Sequence, residues 1–304
     1  MTKKILIFYE SHSDPNPEKV ISKLIPTFKE LGIQTFAIEE PCDKTAAKIT
    51  EEISDKTDCV INTVKQIDTV IEKGRLEEMD CIIKEFLERG IIKITDSQIQ
   101  KSIEGKINIL EFAKAYCINN VKASKLFLEL IEKLQNNEIT TICVDLDSEA
   151  RGKLEKIQGG KEESKTEYRS KFMFNKLLEN IQASKSENYG IILLVGTAHS
   201  TIGQLLKEKE EEHGLFVKEY FFDTTRQADE ANPDVGIHEQ KKRVELRELL
   251  QDTPNCYFES SEKDFSVEES AQKIASDLGY SGEMDFGAEL LGEDATAGSS
   301  IDHL

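Results

Sequence analysis

Along this chain short, continuous apolar runs alternate with longer stretches in which apolar residues recur every three or four positions. Residues 4–10 form such a run and predict a buried strand, followed by turn-forming residues over 11–17. Beyond it Val20, Ile21, Leu24, Ile25, Phe28 and Leu31 repeat at helical spacing, and Gly32 supplies the stop. Residues 35–38 predict a second strand. A strand, a helix and a strand within about 40 residues are the signature of a right-handed βαβ unit in a parallel sheet.

Residues 44–137 are mostly helical in pattern, with clear repeats over 70–86 and 107–134, interrupted by strand-like pieces at 59–62 and 91–94. A buried strand is predicted at 140–146, a loop or lid around Gly159-Gly160 over 149–165, and an amphipathic helix over 168–181. The most apolar strand, 191–195, ends at Gly196-Thr197-Ala198-His199. Further strands are expected at 215–222 and 256–259, and a closing helix at 267–278. Strands alternating with helices predict an α/β fold with a largely parallel sheet flanked by helices.

Length and charge refine this picture. The 304 residues suit either two domains or one larger α/β domain. The pattern favours a single α/β domain over 1–279, carrying a helical cap insertion over about 44–137, and a disordered tail over 280–304. That tail holds Glu283, Asp285, Glu289, Glu293, Asp294 and Asp302 and no Lys or Arg. The formal charge of −19 argues against nucleic acid and anionic membrane surfaces, since nothing here neutralises phosphates. No apolar run is long enough to span a membrane, and the first apolar stretch is too short for a cleaved signal peptide. The acidic helices and the tail suit a protein partner.

Six cysteines stand no closer than 17 residues apart, so neither a zinc site nor a redox dithiol is signalled. In apolar contexts such as Ile142-Cys143-Val144 they read as small core residues. A cytoplasmic setting follows, either where the chain is made or one it reaches by export without a cleaved signal peptide.

In parallel α/β sheets ligands bind beyond the carboxyl ends of the strands. Four such ends carry ionisable residues: Glu10 with His12, Glu39 with Glu40, Asp145 with Asp147, and His199. Glu10 and His12 are two apart, so an extended strand end turns both to one side, where a carboxylate can fix the ring's tautomer. His199 follows five aliphatic residues and Gly196, beside a helix start that Ser200 or Thr201 can cap. Either histidine alone is as well explained as a solvated residue. Two of only five histidines, beside carboxylates at neighbouring strand ends, point to a site. His213 reads as a surface residue at a helix C-terminus, His238 lies in a polar stretch after Pro233, and His303 is in the tail. Residues 10–17 contain no glycine, which excludes a dinucleotide-binding G-x-G-x-x-G turn, and no G-x-S-x-G elbow is present.

Glu10-x-His12 ending the first strand, Ile38-Glu39 ending the second, the helix Arg169-x-x-x-Met173 and the late Gly196-Thr197-Ala198-His199 together resemble a known superfamily. It unites the erythromycin esterases, the ChaN-like proteins and the TraB/Tiki proteins. The likeness covers roughly residues 3–203, with gaps. It departs from the family pattern at Tyr9, where glycine is usual, in the tighter spacing to His12, and at Ser170, which replaces an acid. The resemblance implies a hydrolase acting on an ester, a lactone or a peptide, a small-molecule or peptide substrate in either case. His12 takes a proton from water, supported by Glu10 or Glu39, while Arg169 and His199 stabilise the oxyanion. The chemistry it implies is either metal-free or assisted by a divalent transition metal, for which His12, His199 and Glu39 are the candidate ligands. The rival reading is a non-catalytic binding or secreted effector module that keeps the fold.

Overall fold

The structure, a computed structural model, describes residues 3–10, 14–88, 102–157, 162–186, 188–223, 237–260 and 265–280. His12, the expected strand at 91–94, Gly159-Gly160 and residues 281–304 of the acidic segment lie outside these. Six apolar runs become strands: β1 (Lys3–Glu10), β2 (Ile33–Pro41), β3 (Thr140–Asp145), β4 (Gly190–Gly196), β5 (Leu215–Asp223) and β6 (Tyr257–Glu259). They make one all-parallel sheet in the order β3-β2-β4-β1-β5-β6, the α/β architecture expected from the pattern. Every residue of the central β4 is buried, as is β1 from Ile5 onward. Strands covered on both faces have no solvent side, which is why these two read as unbroken apolar runs. The edge strand β3 is only half-buried at its start.

Ten helices accompany the sheet among the described residues: α1 (Asn16–Glu30), α2 (Ala46–Glu72), α3 (Leu76–Glu88), α4 (Ile103–Asn136), α5 (Ser148–Glu155), α6 (Glu162–Ala183), α7 (Thr201–Lys207), α8 (Glu210–His213), α9 (Ile237–Leu250) and α10 (Val267–Asp277). None is long and apolar enough to cross a membrane. Gly32 ends the first βα unit with φ +77°, a left-handed conformation that a side chain strains to adopt.

Strand parity sorts what lies above the sheet from what lies below it. Phe8 packs edge-on against Phe28 of α1 and lies beside Tyr220 and Phe222 of β5, and the Tyr220 hydroxyl reaches Asp277 of α10. Tyr9, one residue on, points the other way: its hydroxyl donates to Glu219 at 2.9 Å beside α7. From β1 the chain goes by α1 to β2, on one side of β1; from β4 it goes to β5, on the other. Adjacent β1 and β4 therefore form the switch point at which such sheets open a crevice.

By contacts the chain forms two compact units, one of Met1–Ile49 with Leu126–Ala288 and one built on Thr50–Lys125. The second buries Val64, Ile67 and Val70 of α2 with Met79 and Phe86 of α3 and Leu110 and Cys117 of α4.

Four local expectations need correction. Residues 59–62, read as strand-like, lie inside α2, because the apolar positions around them run on at helical spacing through Val64, Ile67 and Val70. A four-residue apolar run cannot by itself tell strand from helix. Residues 149–165, read as a loop, contain α5 and the start of α6; Asp147 caps α5 by accepting from the Ala150 N–H at 2.7 Å. Too few apolar residues mark α5 for the periodicity to register. The repeat over 70–86 is broken at Gly74, whose φ is +60°, into the end of α2 and the start of α3. His238, read in a polar stretch, falls in the first turn of α9.

Candidate functional site

In a parallel sheet all strands end on one edge, and here three of them deliver groups to one network. Glu39 stands near the end of β2, Asp145 is the last residue of β3, and β4 closes on Gly196 before a single 3-10 turn, Thr197–His199. Helix α6 lies against β3 and this turn, and presents Arg169 and Ser170.

The Arg169 guanidinium forks onto Asp145, with Nε donating to Oδ2 at 3.0 Å and Nη2 to the same oxygen at 2.6 Å. Nη2 also donates to Glu39 Oε1 at 2.5 Å. That oxygen accepts from His199 Nε2 at 3.1 Å, and Glu39 Oε2 from the Gly196 N–H at 3.2 Å. On the far side of the ring, Nδ1 lies 2.8 Å from Ser170 Oγ, whose own hydroxyl donates to the Thr166 carbonyl. A carboxylate can only accept, so the ring turns an Nε2–H to Glu39, and Ser170 Oγ meets Nδ1 on the other side.

Burial makes these bonds strong and costly to leave unmade. Asp145 is completely buried, His199 is 2% exposed and the Arg169 side chain 18%. Burial opposes the charge on Arg169, but the hydrogen bonds and charges of Asp145 and Glu39 outweigh it and push its pKa up. The result is a chain of alternating acceptors and donors, Asp145 to Arg169 to Glu39 to His199, along the carboxyl edge.

Of the residues singled out from the sequence, Glu39, Arg169 and His199 thus share one network. Glu10 does not join it. It pairs with Gly196 in the sheet, and parity turns its side chain to the α1 face, where it meets Asp14 and Glu18. His12 lies outside the described residues. Ser170, the Gly196 N–H and the partnership of Asp145 were not singled out. Asp145 stood at a strand end in the sequence, but Ser170 carries no signal of its own.

Among the described residues no group of three or more His, Cys, Asp or Glu is arranged to hold a metal ion. The two described candidates, Glu39 and His199, face each other as acceptor and donor, and the Arg169 cation occupies the same Glu39 oxygen. That donor set does not fit a divalent metal.

The acidic group on the α1 face has a consequence of its own. Burial pushes the Asp14 carboxyl up to about 6 against the hydrogen bonds from Ser260 and Asn16, with the Glu10 charge adding to the rise. Glu18 is raised as well, by burial and then by the charge of Glu10. A carboxyl raised in the folded state contributes stability below its unfolded pKa, and that contribution is lost as pH rises towards 6. Asp14→Asn is therefore expected to remove about 1 kcal/mol of the loss in stability between pH 5 and 7.5. Urea unfolding at the two pH values measures it; equal pH dependence in both proteins would refute it.

Comparison of the chain with protein-family models, with curated proteins and with solved structures returns no match.

Proposed function

We propose that this chain is a hydrolase of the erythromycin-esterase/ChaN/Tiki type, cleaving an ester, lactone or peptide with an activated water. The observation that carries the reading is Glu39 at the carboxyl edge of the sheet, its one oxygen shared by Arg169 and His199. In this reading Glu39 takes a proton from the attacking water as the oxygen–carbon bond forms. Arg169 faces the developing oxyanion, and on collapse Glu39 returns the proton to the leaving alkoxide or amine. His199 is a positioning residue, holding Glu39 through Nε2 and held in turn by Ser170, which stands where the family pattern has an acid. The role of water base expected for His12 concerns a residue outside the described ones, and in this reading Glu39 takes it.

Glu39→Gln keeps size and hydrogen bonding but removes the base. It is expected to lower kcat by about 100-fold or more on whichever member of a panel of esters, lactones and peptides the wild type turns over. His199→Ala should lower it by a smaller factor and alter its pH profile. Turnover by neither wild type nor variants, or equal turnover by all, refutes the hydrolase.

A second reading, a non-catalytic module on the same scaffold, is favoured by the closure of the network. Both nitrogens of His199, and Nε and Nη2 of Arg169, lie against protein partners. Under it these substitutions cost stability only, and the wild type hydrolyses nothing.

A further inference from the structure

We infer that Arg151 is the substrate-anchoring residue of this site and that it takes a carboxylate, so that the substrate is an ester, lactone or peptide bearing a free carboxyl group. The inference rests on the hydrolase reading for the word substrate, but not for the binding.

Arg151 lies in α5, directly after β3, and its Nη1 stands 3.4 Å from Asp145 Oδ2. That oxygen already accepts Nε and Nη2 of Arg169, at 3.0 and 2.6 Å, and Oδ1 accepts the Leu146 N–H at 2.8 Å and shares the Arg169 Nε–H at 3.2 Å. Asp145 has no lone pair left to offer at hydrogen-bonding length, so Arg151 is a surplus guanidinium held nearby by charge. Its other contact, Nε to Glu155 Oε1 at 3.4 Å, is with a side chain 68% exposed, a pairing of the kind that contributes little. The Arg151 side chain is 32% exposed, and its Nη2 has no partner among the described residues. A planar fork with unused donors, a third open to solvent, adjoins the acid–base pair through a shared carboxylate.

The surroundings limit the charge of the anion. Asp145 and Glu39 face the Arg169 and Arg151 guanidiniums, and Glu155 lies against Arg151 from the solvent side. The acidic neighbours Asp147, Glu149 and Glu155 disfavour a dianionic phosphate over a carboxylate.

The test uses the full chain with two matched substrates, 4-nitrophenyl hydrogen glutarate and its uncharged methyl ester, together with calorimetric titration of glutarate and of inorganic phosphate. In Arg151→Gln, KM for the anionic ester is expected to rise about 10-fold or more with kcat retained, while the neutral ester is unaffected. Arg151→Lys keeps the charge but not the fork and should give a smaller rise; it also decides the matter if the Gln variant does not fold. Equal KM values in wild type and variants overturn the inference. If the wild type hydrolyses neither ester, the panel of esters, lactones and peptides decides the hydrolase reading, and glutarate titration alone decides Arg151. Binding lost in the Gln variant upholds the carboxylate site. Glutarate that binds both proteins equally or neither, or phosphate that binds more tightly than glutarate, overturns it.

Discussion

Arg169→Ala is expected to lower the unfolding free energy by roughly 3 kcal/mol or more and to abolish any turnover. The reason is less the loss of an attraction than what remains. Asp145 is completely buried and would keep one backbone N–H and an arginine 3.4 Å away. Glu39, 11% exposed, would keep His199 and the Gly196 N–H. Two carboxylates shielded from water and without their shared cation are what makes breaking a buried pair expensive. Arg169→Lys restores the charge but cannot fork onto Asp145 while bridging to Glu39, so it should recover only part of the loss. Adding Asp145→Asn to Arg169→Ala removes one of the stranded charges, and the double variant should be more stable than the sum of the two single losses. Urea denaturation of the four proteins reads this out. An alanine variant within about 0.5 kcal/mol of wild type would mean that the network does not hold the edge together.

The same network shows what periodicity can and cannot reveal. The buried strands β1 and β4 are legible because strands covered on both faces must be apolar throughout. Helix α1 is legible from the spacing of Val20, Leu24 and Phe28, and its end from Gly32. Helix α9 is not, since its pattern is dominated by charge, and α5 is short and mostly polar. Strand order is written in no single segment: β4 enters between β2 and β1 through contacts between residues some 150 apart, such as Ile38 with Leu194. That order decides the site. Glu39 and His199 are recognisable as strand-end residues, but that Asp145 reaches Arg169 follows only from β3 lying beside β2. Glu10 and Glu39 look equivalent in sequence, yet the register of the sheet turns them to opposite faces. A period of two makes facing depend on a single residue of register.

Register also fixes the position where the smallest substitution should do the most damage. Gly203→Ala is expected to destabilise the protein by about 3 kcal/mol, although alanine in place of glycine inside an unconstrained helix gains about 1 kcal/mol. Gly203 lies in α7, directly over the place where Tyr9 of β1 and Glu219 of β5 meet. A Cβ there would overlap the Glu219 carboxylate and stand 2.6 Å from the Tyr9 hydroxyl. Glu219 is only 3% exposed, and it is pinned by the Tyr9 hydroxyl at 2.9 Å and by Lys207. Burial, and then the charge of Glu219, raise the Tyr9 pKa, so the phenol stays protonated and donates. To admit the methyl group the carboxylate must swing away from both partners with no solvent to receive it. The sign of the effect is thus diagnostic, because helix propensity and steric exclusion predict opposite changes. Glu219→Ala makes room and leaves Tyr9 the Ser200 carbonyl as acceptor. On that background only the approach to the Tyr9 hydroxyl remains, so Gly203→Ala should cost clearly less than in the wild type, and thermal unfolding of the two single variants and the double variant measures the coupling. A stabilised Gly203→Ala single variant would show that α7 does not approach the sheet this closely.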